Sequence, residues 1–250
     1  FPEECVFGNA LCKIYHTPKP QAEVVELPKV DEARIRKVID NCENGYIGPD
    51  EIFELLDAAG IAQKQIRVVD QKQQALDFAN EVGYPLVMKV VGPLHKSDVG
   101  GVTLNVRDIE TVDREFDRLM AIPETYAVEM YPMLDGTEVY IGAIRDDKFG
   151  HQVFFGLGGI FIEVLKDVQN AIAPITACEA KDMLTKLRGY KILEGVRGQQ
   201  PVNVDIYAEQ VARVSALVMV APEIAEMDLN PLLGNPKNVV AVDARIRIEK

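Results

Sequence analysis

The sequence has no tryptophan and only four cysteines, Cys5, Cys12, Cys42 and Cys178. None of them form a CxxC pair, and a chain of 250 residues does not depend on covalent staples. Both facts speak against a disulfide framework and a thiolate zinc site, and reduced thiols are expected. Positive charge is also scarce, with 27 Lys+Arg against 39 Asp+Glu and a formal net charge of −12. Non-specific nucleic-acid binding needs cationic surface to displace counterions from phosphates, so that class is excluded. A phosphate ligand is not excluded, because a few well-placed donors can hold one locally. No apolar run reaches the roughly 18 to 20 residues of a membrane-spanning helix. The opening residues, FPEECVFGNALCKIYH, lack both an initiator Met and the basic-then-apolar order of a signal peptide. The expectation is a cytoplasmic piece of a longer polypeptide.

What is present suffices for a substantial core, since 48% of the residues are hydrophobic. The length fits one large domain or two small ones. Residues 1–30 carry Pro2, Pro18, Pro20 and Pro28 with little periodicity, and read as a linker or extended arm. From Asp31 the pattern becomes regular. Helices are expected from Glu32 to Asn41 and from Gly48-Pro49 to Gly60. A third follows a capping-box-like Asp70 and Gln73 and closes at Gly83. Strands are expected at Ile66 to Val69, Tyr84 to Val91 and Val102 to Val106, followed by a helix bearing Ile109, Val112, Phe116 and Leu119. Beyond it, strand-like runs at Tyr126 to Tyr131, Thr137 to Arg145, Gln152 to Gly156 and Ala171 to Pro174 suggest an antiparallel sheet. Helices at Cys178 to Arg188 and Val204 to Val220 then precede strands at Glu226 to Leu229 and Val239 to Ile246. The class is α+β, two lobes with a cleft between them. The expected division is an arm over 1–30, an N-terminal lobe over 31–122 and a C-terminal lobe over 123–250.

Three places break the rules of core packing. Lys89 interrupts the apolar run YPLVMKVV, and a buried lysine is costly unless an anion meets it. It either points to water from an edge strand or grips a phosphate. The loop that follows, Gly92 to Gly101, holds His95, Lys96 and Ser97 and ends on the adjacent Gly100 and Gly101. Glycines let backbone N–H groups turn toward an anion, and an imidazole acts as base or nucleophile near neutral pH. The second place is the glycine-rich FGLGGIFIE, where Glu163 and Asp167 share a face only if the segment is helical. The third is EMDLNPLL. Asp228 and Asn230 alternate on a strand there, and Asp243 is placed to meet them from the next. These hard oxygen donors suit Mg²⁺; alternatively, Asp228 and Asn230 only begin a turn before Pro231.

This combination resembles the ATP-grasp fold, most closely the nucleotide-binding part of ADP-forming acyl-CoA synthetases, relatives of succinyl-CoA synthetase. The resemblance covers roughly Asp31 to Lys250. It rests on YPLVMKV, HKSDVGGV, DGTEVYIGA, FGLGGIFIEVLKD, LRGYKILEGVRG and EMDLNPLL in that order. The stretch Val91-Gly92-Pro93-Leu94 departs from the Ser-Pro-containing segment of many relatives and leaves the path of that loop open.

The resemblance implies roles as well as a fold. The nucleotide, ATP or ADP, lies in the cleft with Mg²⁺. Lys89 grips its phosphates beside Lys96, Ser97, Gly100 and Gly101. Glu129, Met130 and Tyr131 form the inter-lobe hinge that holds adenine through backbone groups. Glu138 sits near the ribose or phosphates, while Asp228, Asn230 and Asp243 bind the metal. His95 relays a phosphoryl group. CoA and the acyl substrate belong to a separate alpha-type subunit or an upstream domain of the same polypeptide, with no role for nucleic acid or membrane. Two other readings stay open: a different ATP-grasp carboxylate ligase that needs no His95, and a nucleotide-binding regulatory module of an acetyltransferase fusion.

Overall fold

In chain order the first elements are α1 (Glu4–Tyr15), α2 (Glu32–Asn41), β1 (Gly45–Tyr46), α3 (Pro49–Ala58), β2 (Arg67–Val69), α4 (Lys72–Val82), β3 (Leu86–Val91), β4 (Val102–Val106) and α5 (Ile109–Met120). Then follow β5 (Ala127–Pro132), β6 (Thr137–Asp146), β7 (Gly150–Leu157), β8 (Val168–Ile172), α6 (Ala177–Leu184), α7 (Tyr190–Leu193), α8 (Val204–Val220), β9 (Ile224–Gly234), β10 (Val239–Ala241) and β11 (Ala244–Ile248). They come from a computed structural model that describes residues 3–16, 26–92, 100–159, 167–196 and 198–250.

Four of the eight described helices begin at a side chain that satisfies an otherwise unpaired N–H group. Asp31 accepts from the Arg34 N–H at 3.1 Å, Asp108 from Thr111 at 2.7 Å and Asn203 from Ile206 at 3.1 Å. Thr176 and Glu179 close the expected reciprocal box. The box expected at Asp70 and Gln73 does not form. Helix α4 starts after Gln71 without a side-chain cap, and the Gln73 amide donates to Asp77 instead, at 2.9 Å. The arm also departs from expectation: residues 4–15 are helical, although none of them is buried. No described helix is long and apolar enough to cross a membrane.

Two antiparallel sheets organise the rest. The smaller has the order β2-β5-β3-β4; the larger runs β1-β11-β9-β6-β7-β8, with β10 pairing β9. Helices α4 and α5 cover one face of the small sheet, burying Phe78, Val112, Phe116 and Leu119 against Leu86, Met88, Val90, Val128 and Met130. Helix α8 crosses one face of the large sheet, with Tyr207, Val211, Val214 and Leu217 packed on Val139, Ile141, Phe155 and Leu229. Its two buried polar residues satisfy backbone donors elsewhere. Gln210 accepts from the Ala62 N–H at 3.0 Å, and Ser215 from Ile175 at 2.9 Å.

Membership of the two sheets does not follow the order of the chain. Helices α2 and α3 bury Ile35, Ile39, Leu55 and Leu56 in the core of the large sheet, and β1 pairs with β11 through Gly45 and Ile248. Conversely, β5 is a central strand of the small sheet, so that sheet extends past residue 122. Periodicity identifies the apolar face of a helix without saying which sheet the face will cover.

Tyr207 shows how the large sheet absorbs an irregularity. The register of β6 against β9 shifts between Val139 and Ile141. At that shift the fully buried Tyr207 hydroxyl lies 2.7 Å from the Tyr140 carbonyl and 2.7 Å from that of Gly156, while accepting from the Gly156 N–H at 2.9 Å. Tyr207→Phe leaves these buried groups without their partner. It is expected to cost about 1–3 kcal/mol, read as a lower urea midpoint at unchanged slope.

Candidate functional site

Each sheet keeps a second face free of the helical cores, and the chemistry-bearing residues gather there. On β3 the residues Leu86, Met88 and Val90 enter the core, so the alternating Lys89 points the other way and is only partly buried. Strand β3 is bonded on both sides, Lys89 standing opposite Val102 of β4 and Glu129 of β5. This removes the edge-strand alternative for Lys89. Glu129 and Tyr131 share its face, and the Lys89 ammonium lies 4.9 Å from the Tyr131 ring centroid.

Met130 differs. Its side chain is fully buried in the small core, and its residue pairs with both Met88 and Arg67. The expected hinge at Glu129–Tyr131 therefore lies inside a central strand. The chain crosses between the sheets at residues 133–136, after β5 ends at Pro132. There Met133 donates to the Pro85 carbonyl at 2.7 Å, and the Asp135 carbonyl accepts from the Asn235 side chain at 3.2 Å. Gly136 is required at this crossing, because φ is +150° and a Cβ would meet the Gly234 carbonyl.

On the large sheet, Met227 and Leu229 of β9 enter the core and leave Glu226, Asp228 and Asn230 on the opposite face. The strand continues through Pro231 to Gly234, which rules out a turn at Asn230. Asp243 lies in the turn between β10 and β11. The Val242 N–H pins that turn to β9 by donating to the Pro231 carbonyl at 3.0 Å. Burial raises the Asp228 carboxyl above the usual carboxylate range; Glu226 and Asp243 push it the same way, and Arg245 opposite it in the ladder opposes them. Tyr140 shares this face. Burial, reinforced by Asp228, pushes its phenol up to about 12. Among the described residues no three His, Cys, Asp or Glu side chains converge. The donor set is thus two carboxylates and the Asn230 amide, all oxygen donors of the kind a hard divalent cation prefers.

Glu138 presses its carboxylate against Gly159, where a Cβ would collide with it, and its carbonyl accepts from the Gly158 N–H at 2.9 Å. The FGLGG run thereby makes room for Glu138. Asp167 has a structural task. Buried at 7% exposure, it accepts from the backbone N–H groups of Arg188 and Gly189 at 3.0 and 2.7 Å, just before α7. In the β3–β4 connection, the Gly101 carbonyl accepts from the Val90 N–H at 2.8 Å and the Gly100 carbonyl from Arg118 at 2.9 Å. Gly100 has φ +67°, a conformation glycine supplies without strain. His95, Lys96, Ser97 and Glu163 lie outside the described residues.

One residue near this site carries no signal in the sequence. Lys64 belongs to the short connection between α3 and β2, and its ammonium lies 3.9 Å from the ring centroid of Tyr131. An isolated lysine in a polar loop, Ala62-Gln63-Lys64-Gln65, is indistinguishable by pattern from any solvated one.

Residues 37–248 match the ATP-grasp domain family. The beta subunit of ADP-forming acetate–CoA ligase I of Pyrococcus furiosus is 40% identical over 226 residues, covering 86% of this chain and 97% of that subunit. ADP-forming acetate–CoA ligase I of Archaeoglobus fulgidus is 38% identical over 89% of this chain. This chain spans only 33% of that longer enzyme. Among solved structures, acetyl-coenzyme A synthetase 1 of Ca. Korarchaeum cryptofilum, in a complex with coenzyme A and Mg-AMPPCP, is 33% identical with a TM-score of 0.66. The match covers 88% of this chain and all of that one, and a phosphohistidine segment there points towards the nucleotide binding site. A family match over most of the chain, together with a curated beta subunit matched along nearly its whole length, shows that the chain belongs to the ATP-grasp family as the ATP-grasp portion of the ADP-forming acyl-CoA synthetases.

Proposed function

We propose that the chain is the nucleotide-binding, phosphoryl-transfer portion of an ADP-forming acyl-CoA synthetase. The overall reaction is acyl-CoA + ADP + phosphate ⇌ carboxylic acid + CoA + ATP, completed with a CoA-binding alpha-type subunit or an upstream domain. The observation that carries this reading is the placement of Lys89. It stands on a doubly bonded strand, turned away from the core, on the face of Glu129 and Tyr131. A cation held this way neutralises phosphate charge without reorganising during the reaction.

The remaining roles follow the two faces. Lys96, Ser97, Gly100 and Gly101 flank the phosphates, and Glu138 lies towards the ribose or phosphates. The base is held near the crossing at 133–136, where the chain leaves the ladders of β5. Asp228, Asn230 and Asp243 would hold Mg²⁺, which supplies charge neutralisation on the nucleotide when bound. His95 accepts the phosphoryl group and carries it between nucleotide and partner, a covalent relay that splits one transfer into two.

The direct test is incubation of the chain with radiolabelled ATP and Mg²⁺. An acid-labile, base-stable phosphoprotein is expected, formed reversibly on addition of ADP. Tight nucleotide binding without any labelling, even with the CoA-binding partner supplied, would overturn the phosphoryl-transfer reading.

A further inference from the structure

We propose that Lys64 is a second phosphate-gripping lysine, acting with Lys89 on the polyphosphate of the nucleotide. The proposal rests on the nucleotide-binding reading above and adds a residue to it. Its first support is the way Lys64 is fixed. The connection from α3 to β2 is bound to β10 by two backbone hydrogen bonds, from Ala241 to the Ala62 carbonyl and from Lys64 to the Ala241 carbonyl, each 2.9 Å. Gln63 and Ala241 form a parallel bridge between them. The backbone of Lys64 is thereby fastened to the large sheet, while its ammonium reaches Tyr131 of the small one.

The second support is what surrounds that ammonium. Lys64 and Lys89 lie 3.9 and 4.9 Å from the centroid of the same Tyr131 ring. Lys64 also lines a hollow of about 200 Å³ with Asp243, one of the proposed metal ligands. It therefore neighbours both the ring that Lys89 approaches and one proposed metal ligand. Among the described residues, neither ammonium is in a salt bridge. Partial burial is the main influence disfavouring the Lys64 charge; Glu129 opposes it, Lys89 adds a weaker repulsion, and Asp243 a still weaker attraction. A polyanion passing between the two lysines relieves that repulsion, as the ring alone cannot.

The competing role for Lys64 is a cation–π clasp that only joins the two sheets. A phosphate contact and a clasp differ in how nucleotide affinity responds to salt, because only the former removes a cation from a charged ligand. The experiment is calorimetric titration of the full chain with Mg-ADP over a range of ionic strength, for the unmodified protein and for Lys64→Ala, Lys64→Arg and Lys89→Ala. Lys64→Ala is expected to weaken ADP binding about tenfold and to make its salt dependence shallower, with Lys64→Arg within about threefold of the unmodified chain. Affinity within about twofold in Lys64→Ala, alongside a large loss in Lys89→Ala, overturns the role of Lys64 and leaves the nucleotide reading standing. Weaker binding with an unchanged salt slope identifies the clasp and also overturns it. Failure of the unmodified chain to bind ADP at all defeats the underlying reading instead.

Discussion

The His95→Ala variant is expected to incorporate no acid-labile phosphoryl group from ATP while still binding nucleotide. In the transfer proposed, an imidazole nitrogen forms a bond to the terminal phosphorus as the bond to the leaving ADP oxygen breaks. The product is a phosphoramidate, stable in base and hydrolysed in acid. The chain has only 3 histidines, and the surroundings of the other two differ from those of a phosphate loop. His151 is buried, with Nε2 2.6 Å from the Ile224 carbonyl, and burial lowers its pKa. His16 caps the exposed helix α1, no residue of which is buried, and among the described residues α1 contributes to neither hydrophobic core. A parallel His16→Ala variant is expected to label at the unmodified level. Labelling of His95→Ala at that level would transfer the relay to another residue, whereas loss of both labelling and ADP affinity would make His95 a binding group.

Lys89→Met is expected to slow phosphoryl transfer by about a hundredfold or more, the scale seen when one preorganised electrostatic contact to developing charge is removed. Methionine matches the length and apolar stem of lysine, so the change isolates the charge. The fold should tolerate it. Lys89 faces away from the core of Leu86, Met88 and Val90 and makes no salt bridge among the described residues, so its backbone pairings with Val102 and Glu129 survive. The check is rapid-quench labelling at saturating ATP beside a thermal melt. A variant with an unchanged melting temperature and an unchanged rate would remove Lys89 from the transfer step.

Much of the chain's local structure is written in its sequence. Cap residues and apolar periodicity place α2 and α8 at their observed bounds, and the Thr176–Glu179 box starts α6 as expected. A charge inside an apolar run marked Lys89, and alternation put Asp228 and Asn230 on one face. These signals are local: each depends on a period of two or 3.6 residues, or on a side chain reaching a backbone group three positions away. The α1 segment shows their limit, since an arm with four prolines and little periodicity contains a helix that buries nothing.

The tertiary structure decided everything that needed two distant segments. It assigned α2 and α3 to the large sheet and β5 to the small one, because only packing tells an apolar helix face which sheet it covers. It moved the crossing between sheets from Glu129–Tyr131 to residues 133–136, since membership of a central strand is a property of its neighbours. It also brought Lys64 to Tyr131 through backbone bonds to Ala241, which lies 177 residues further along the chain. The scarcity of positive charge evident from composition thus gains a location. Sequence alone established that cations are few, while the pairing of strands determined that two of them meet at one ring, because charge proximity is set by the fold and not by spacing along the chain.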